Sequence, residues 1–156
     1  VRLWAIEDPL GTPTLTSTFL AVPDYYQPAN LRSAGTSNTI ETFESRFWSA
    51  MYVNGSLWAC HHISLSSSPR ITVARWYEIE MNGWPDSGSM PTLKQSGTVD
   101  PPGDIYLSFN SIWMTTYSCF LLAQIILGLN ETSSVFFLKT VIFSVSSTLF
   151  KLYPVL

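Results

Sequence analysis

Residues 46–63 read Arg46-Phe-Trp-Ser-Ala-Met-Tyr-Val53, Asn54-Gly55, Ser56-Leu-Trp-Ala-Cys-His-His-Ile63, and they decide the fold class. Two runs rich in aromatic and β-branched residues flank an Asn-Gly pair. That is the pattern of a hairpin closed by a type I′ turn, whose two central residues both need φ > 0. A two-residue turn also sets the register, so Tyr52 faces Leu57, Ala50 faces Ala59 and Trp48 faces His61, while Met51 faces Trp58 and Phe47 faces His62. Neither face is polar. A hairpin apolar on both sides is expected to be covered on both sides, between two neighbouring layers. Two more strand-like runs follow, Ile71-Thr-Val-Ala-Arg-Trp-Tyr-Glu-Ile79 and Thr92-Leu-Lys-Gln-Ser-Gly-Thr-Val99. The four runs predict an up-and-down meander over 46–99, in which Asn54, Gly55, Trp58 and Trp76 are structural positions.

The totals suit that class. The hydrophobic fraction of 46% over 156 residues is enough for the core of one domain, while only 12% of residues are charged and 14% are aromatic. That balance favours strands over helices. The net charge is −3, and the eight Lys and Arg are scattered rather than clustered, which argues against nucleic acid as a partner. The two cysteines, Cys60 and Cys119, are too few for a disulfide framework, and both lie in apolar runs that suit buried thiols. A bridge between them is the minor alternative. No basic n-region followed by an apolar h-region stands at Val1, so no signal peptide is visible, and the chain reads as a piece of a longer one.

Upstream of the central stretch, Val1-Arg-Leu-Trp-Ala-Ile-Glu7 and Thr14-Leu-Thr-Ser-Thr-Phe-Leu-Ala-Val22 read as strands around the turn signal Pro9-Leu-Gly-Thr-Pro13. These pieces recur. Val1-x-x-Trp4 matches Val73-x-x-Trp76 at an offset of 72, Pro13-Thr-Leu15 matches Pro91-Thr-Leu93 at an offset of 78, and Val22 answers Val99. A repeat whose unit is a four-stranded antiparallel meander is the signature of a β-propeller blade. The expected fold is therefore all-β, a partial propeller. Residues 1–22 supply the outer strands of one blade, 23–45 the crossing loop, 46–99 a complete blade and 100–114 the start of the next.

Several stretches also resemble a family. Leu57-Trp-Ala59, Ala74-Arg-Trp-Tyr-Glu-Ile79, Gln95-Ser-Gly-Thr98 and the aromatic segment Phe109 to Ile112 are similar to motifs of secreted bacterial β-propeller repeat proteins, themselves loosely sialidase-like. The resemblance covers roughly residues 1–114. It implies an extracellular or periplasmic repeat domain and no catalytic residue.

Residues 115–156 form an apolar tail in which Glu131, Lys139 and Lys151 are the only charges, and 105–130 carries none. Three readings compete for it: further buried strands, a membrane anchor with a helix over Ser111 to Leu129 and a return over Val135 to Phe150, or a stretch foreign to the fold, as a frame error would give. The membrane becomes a partner only if the 111–150 tail inserts.

Few residues suggest chemistry. His61 and His62 are adjacent on a strand and point to opposite faces, so they cannot grip one metal ion. They read as packing residues, one between sheets and one near a strand end. Glycoside hydrolysis needs two converging carboxylates, and the candidates beside the crossings are Asp24, Glu41, Glu44 and Asp104. Sialidase chemistry wants an arginine cluster and a tyrosine nucleophile with a glutamate partner. Tyr77 and Glu78 are neighbours on a strand and face apart, and the Ser-x-Asp-x-Gly-x-Thr-Trp box of that superfamily is missing. Glu44 and Arg46 share parity and suit a structural ion pair. Of the six tryptophans, Trp84 sits in a Gly/Pro/Ser-rich loop and is the one to offer a ligand. Asn54-Gly-Ser56 and Asn130-Glu-Thr132 fit the glycosylation pattern, but Asn54 is explained by its turn. No cofactor or metal is implied.

The function expected is a non-catalytic binding or scaffold module for carbohydrate or protein, with Trp84, Asp24, Glu44 and Asp104 as ligand-contacting residues. The alternatives are a fragment of a sialidase-like glycoside hydrolase and a small membrane-anchored protein. Two or three blades leave apolar faces bare, so self-association of this chain is expected.

Overall fold

The computed structural model describes residues 1–30, 39, 41–42, 44–69, 71–86 and 88–100 with their side chains, and residues 31–32, 40, 105–114, 119–127, 138–146 and 149–154 as backbone. The strands are β1 (Arg2–Glu7), β2 (Thr14–Phe19), β3 (Leu31–Arg32), β4 (Thr39–Ile40), β5 (Phe47–Val53), β6 (Ser56–Ser64), β7 (Thr72–Glu80), β8 (Thr92–Val99), β9 (Ile105–Met114), β10 (Cys119–Leu127), β11 (Leu138–Ser146) and β12 (Leu149–Pro154). There is no helix among the described residues, and every strand pairing is antiparallel. The chain is all-β. β1 pairs with β2, β5 to β8 form a four-stranded meander, β9 to β12 form a second one, and β3 pairs with β4 inside the segment expected to be a plain crossing loop.

The β5–β6 turn has the predicted conformation, with φ of 51° at Asn54 and 82° at Gly55. Near the turn the register also holds, pairing Tyr52 with Leu57, Met51 with Trp58 and Ala50 with Ala59. Further along it does not. A bulge between Phe47 and Ser49 leaves Trp48 as the extra residue, so Phe47, not Trp48, is paired with His61. A bulge shifts every later pair by one, and here it stacks the Phe47 ring on the His61 imidazole, with centroids 4.5 Å apart and planes 3° from parallel.

β6 and β7 are buried along almost their whole length, on both faces. Alternation puts Ala59, His61, Ile63, Val73, Arg75, Tyr77 and Ile79 on one side. Tyr77 and Ile79 form a cluster there with Leu3 and Leu20, joined by Val1, Val22, Leu57, Met81, Trp84 and Leu93. The β1–β2 ribbon therefore lies on that face. On the other face Trp58 and Trp76 stack at 5.9 Å, beside the buried Cys60 and Ala74. β9 runs against β5, β6 and β7. With the first face already occupied, β9 accounts for the burial of the second. The central meander is thus the middle of three layers, as its two apolar faces require.

Strand pairing changes how the repeat aligns. Ile6 pairs with Leu15 and Glu7 with Thr14 in the ribbon; Ile79 pairs with Leu93 and Glu80 with Thr92 in the meander. These pairs match when β1 is offset by 73 residues, not 72, which also brings Arg2 onto Arg75 and Trp4 onto Tyr77. The Pro-Thr-Leu offset of 78 survives. A bulge between Glu78 and Ile79 then inserts Lys94 into β8 and sets Leu20, rather than Val22, against Val99. One residue decides the face of every side chain in a strand: Trp76 is 4% exposed, whereas Trp4, matched to it in the sequence reading, is 55% exposed and the neighbouring Leu3 is buried.

Of the three readings of the tail, the helical one is overturned. Residues 111–114 end β9 and 119–127 form β10, so no helix runs from Ser111 to Leu129, and β11 and β12 occupy most of the proposed return. No described helix is long and apolar enough to cross a membrane.

Candidate functional site

The segment from β2 to β5 wraps one end of the central meander and brings the chain's polar groups together. Arg75 Nη1 donates to the carbonyls of Pro23 and Asp24 at 3.2 and 3.1 Å, and its Nε donates to Thr98 Oγ1 at 3.0 Å. Tyr26 then forms a two-way antiparallel bridge with Ser64. A guanidinium committed in this way is a structural donor, since its fork geometry is matched by fixed acceptors.

The two histidines hold the lead-in to β5 from opposite sides. His61 Nδ1 lies 2.9 Å from the Ser45 carbonyl and Nε2 lies 2.9 Å from the Tyr77 hydroxyl. A carbonyl can only accept, so the His61 proton is on Nδ1 and Tyr77 donates to Nε2. On the other face, His62 Nε2 donates to the Thr42 carbonyl. Both rings are fully buried. Burial lowers the His61 pKa to about 4, against the hydrogen bond to Ser45, which acts the other way, and burial also lowers that of His62. Burial pushes Tyr77 up to about 12. All three groups are neutral near pH 7, and each is spent on structure. His62 stands two residues before the end of β6, and it is buried there as fully as His61.

Above His61 opens a shallow cleft of ≈ 340 Å³ lined by Tyr25, Gln27, Glu44, Ser45 and Arg46. The Tyr25 ring meets the edge of His61 at 4.9 Å, nearly perpendicular to it, so the cleft floor rests on the histidine. Glu44 takes φ of 64°, a left-handed turn just before β5. Its carboxylate lies 3.9 Å from Arg46 Nε, with the two side chains 62% and 69% exposed. A pair so open to water contributes little stability, and both charges remain accessible to a ligand. Phenol, amide, carboxylate and guanidinium in one shallow cleft make a surface for hydrogen bonding.

The residues singled out from the sequence are not all brought together. Glu44 lines the cleft, and Asp24, exposed, precedes its Tyr25. Trp84 is half-buried against the Leu3–Leu20–Tyr77–Ile79 cluster, and its loop meets the β5–β6 turn through the Met81 N–H donated to the Gly55 carbonyl at 3.0 Å. The length of β5 separates it from the cleft, roughly 20 Å at the rise of a strand. Asp104 and Asn130 to Thr132 lie outside the described residues, as does the Trp113 side chain. Asn54 and Gly55 form the turn, and Trp58 stacks on Trp76.

Chemistry that needs two converging carboxylates finds a single one, Glu44, among the described residues lining the cleft. Glu78 is buried and accepts from Ser56 Oγ at 3.0 Å, Lys94 Nζ at 2.8 Å and Gln95 Nε2 at 2.5 Å. Burial alone would raise its pKa, but those three donors together hold it below the usual range. It faces away from Tyr77, as alternation requires. Among the described residues no group of three His, Cys, Asp or Glu could hold a metal ion. Tyr25 and Gln27 were not visible as site residues in the sequence, because only the path of the crossing segment places them beside Arg46. Compared with family models, with curated proteins and with solved structures, the chain matches none.

Proposed function

We propose that this chain is a non-catalytic β-propeller-type module of an extracellular protein, and that it binds a carbohydrate or protein ligand through the cleft at Tyr25, Gln27, Glu44, Ser45 and Arg46. The observation that carries this reading is the cleft itself. It lies where the chain crosses from one sheet to the next, it is polar and shallow, and its accessible charges are not committed to the core. A strand pair that recurs in the first two layers, β1–β2 and β7–β8, and a second four-stranded meander after them support the propeller part of the reading. Arg75, Tyr77 and Glu78 speak against the hydrolase reading, since each is buried and already hydrogen-bonded to fixed partners.

The test is calorimetric titration of the intact chain with a panel of neutral and acidic oligosaccharides and of short acidic and basic peptides. Binding is expected for at least one class, and Arg46→Ala should weaken it about tenfold, the loss of one charge-assisted hydrogen bond. If Arg46→Ala and Glu44→Gln bind as the parent chain does, the cleft is not the site. Release of reducing sugar from any oligosaccharide would overturn the non-catalytic reading.

A further inference from the structure

The cleft lined by Tyr25, Gln27, Glu44, Ser45 and Arg46 has a definite hydrogen-bonding inventory. The Glu44 carboxylate can only accept and the Arg46 guanidinium can only donate, while the Tyr25 hydroxyl and the Gln27 amide do both. Glu44 and Arg46 Nε stand 3.9 Å apart, too far for a hydrogen bond, so neither group uses up the capacity of the other. No other described residue is hydrogen-bonded to either side chain. The other guanidinium nearby, that of Arg75, is held by the Pro23 and Asp24 carbonyls and by Thr98 and adds nothing to the cleft.

That inventory selects among ligands. A carboxylate or sulfate bound to Arg46 would bring its charge close to Glu44, and an ammonium bound to Glu44 would bring its charge close to Arg46; like charges at such distances repel. The crossing segment offers no cationic excess to draw an anion in, since Asp24, Glu41 and Glu44 stand against Arg32 and Arg46. A hydroxyl donates and accepts at once, so two on adjacent carbons can donate to Glu44 and accept from Arg46 without adding a charge. Size points the same way. A volume of ≈ 340 Å³ suits a small ligand, whereas a stable protein interface takes about 20–30 residues a side, and five line this cleft.

We infer that the cleft selects an uncharged, polyhydroxylated ligand, a neutral sugar unit whose adjacent hydroxyls bridge Glu44 and Arg46. Glu44 is then the residue that sets specificity, accepting from neutral sugars and turning acidic ones away. Its backbone suits the role. The left-handed φ of 64° at Glu44 and the Ser45 carbonyl held by His61 Nδ1 at 2.9 Å fix the three residues that present the pair, so little ordering is left for the ligand to impose. The inference rests on the cleft reading above and narrows it from carbohydrate or protein to one ligand class.

Calorimetric titration of the intact chain with tetrasaccharides of glucose, mannose and galactose, with those of the corresponding uronic acids and with a glucosamine tetramer tests it. At least one neutral tetrasaccharide is expected to bind about tenfold or more tightly than its charged counterparts, with an affinity unchanged between roughly 0.05 and 0.5 M salt. Glu44→Gln, isosteric and at an exposed position, should weaken the neutral complex about tenfold and tighten that with the uronic acid, the far-ultraviolet β signature being retained. An acidic or basic tetrasaccharide that binds the parent chain as tightly as the neutral one, and is weakened by Arg46→Ala, would overturn the neutral-ligand inference and leave the cleft standing as the site. Binding of short acidic or basic peptides alone, weakened by Arg46→Ala, would do the same. Neutral binding unmoved by both Glu44→Gln and Arg46→Ala, or no binding of any sugar or peptide, would overturn the inference and the cleft reading together.

Discussion

His61 shows how much a single buried side chain can hold. Its ring is sandwiched between Phe47 and the edge of Tyr25, and its two nitrogens connect the lead-in to β5 with the hydroxyl of β7. That arrangement requires the neutral ring, which sets a pH dependence. The folded-state pKa of about 4 lies below the ordinary 6.5, so between those values the unfolded chain binds more protons and stability rises with pH. The contribution is complete above pH 6.5 and is lost as pH falls towards 4, a change of about 3 kcal/mol for this one group. Glu78, whose pKa is also lowered, adds a loss at pH values below the usual carboxylate range. Urea unfolding at pH 7 and pH 5 is therefore expected to differ by about 2 kcal/mol from His61 alone, and His61→Gln should reduce the difference; a profile flat above pH 5 would refute the assignment. At this scale the sequence spoke clearly on one point. Adjacent residues on a strand face apart, which excluded a shared metal ion. It was silent on the partners, because the Thr42 and Ser45 carbonyls are backbone groups that every residue carries.

At the scale of elements, the β7–β8 pair shows where packing overrides pattern. Trp76 is paired with Gly97, and a Cβ built on Gly97 would meet the Trp76 ring at 2.7 Å. The indole lies over the glycine and is held from moving by its stack on Trp58. Gly97→Ala should thus destabilise the chain by about 1–3 kcal/mol, the usual range for overpacking. A double-mutant cycle with Trp76→Leu should recover part of that, measured as shifts in the urea midpoint; a neutral Gly97→Ala would show that the ring is free to give way. Gly55 is a different case, with nothing within 4 Å of an added Cβ but φ of 82°, so that conformation alone demands glycine. The Asn-Gly turn and the four strands of the meander were legible because each obeys a local rule. The bulges at Trp48 and Lys94 were not, since an inserted residue is tolerated or rejected by the layer it packs against. The first explains why the inferred register failed beyond Ser49, and the second why the match of β2 to β8 moves by one residue past Leu93.

At the scale of the whole molecule, the central meander depends on its neighbours. A chain ending at Asp100 would lack β9 and bare Trp58, Cys60, Ala74 and Trp76. It is expected to unfold over a broader urea range, to bind an apolar dye such as ANS, and to show red-shifted tryptophan emission relative to the full chain; unchanged cooperativity would show that something other than β9 covers that face. By itself the sequence determined the all-β class, the hairpin turn, the meander order and the need for a layer on each side, because alternation, turn chemistry and apolarity are local properties of the chain. Only the tertiary structure decided which face of β1–β2 is buried, where the crossing segment lays Tyr25 beside Arg46, and that the apolar tail adds a further sheet. Those outcomes turn on one-residue register choices and on contacts between segments far apart in the chain, where the energy that decides belongs to the packed layers and to no single stretch.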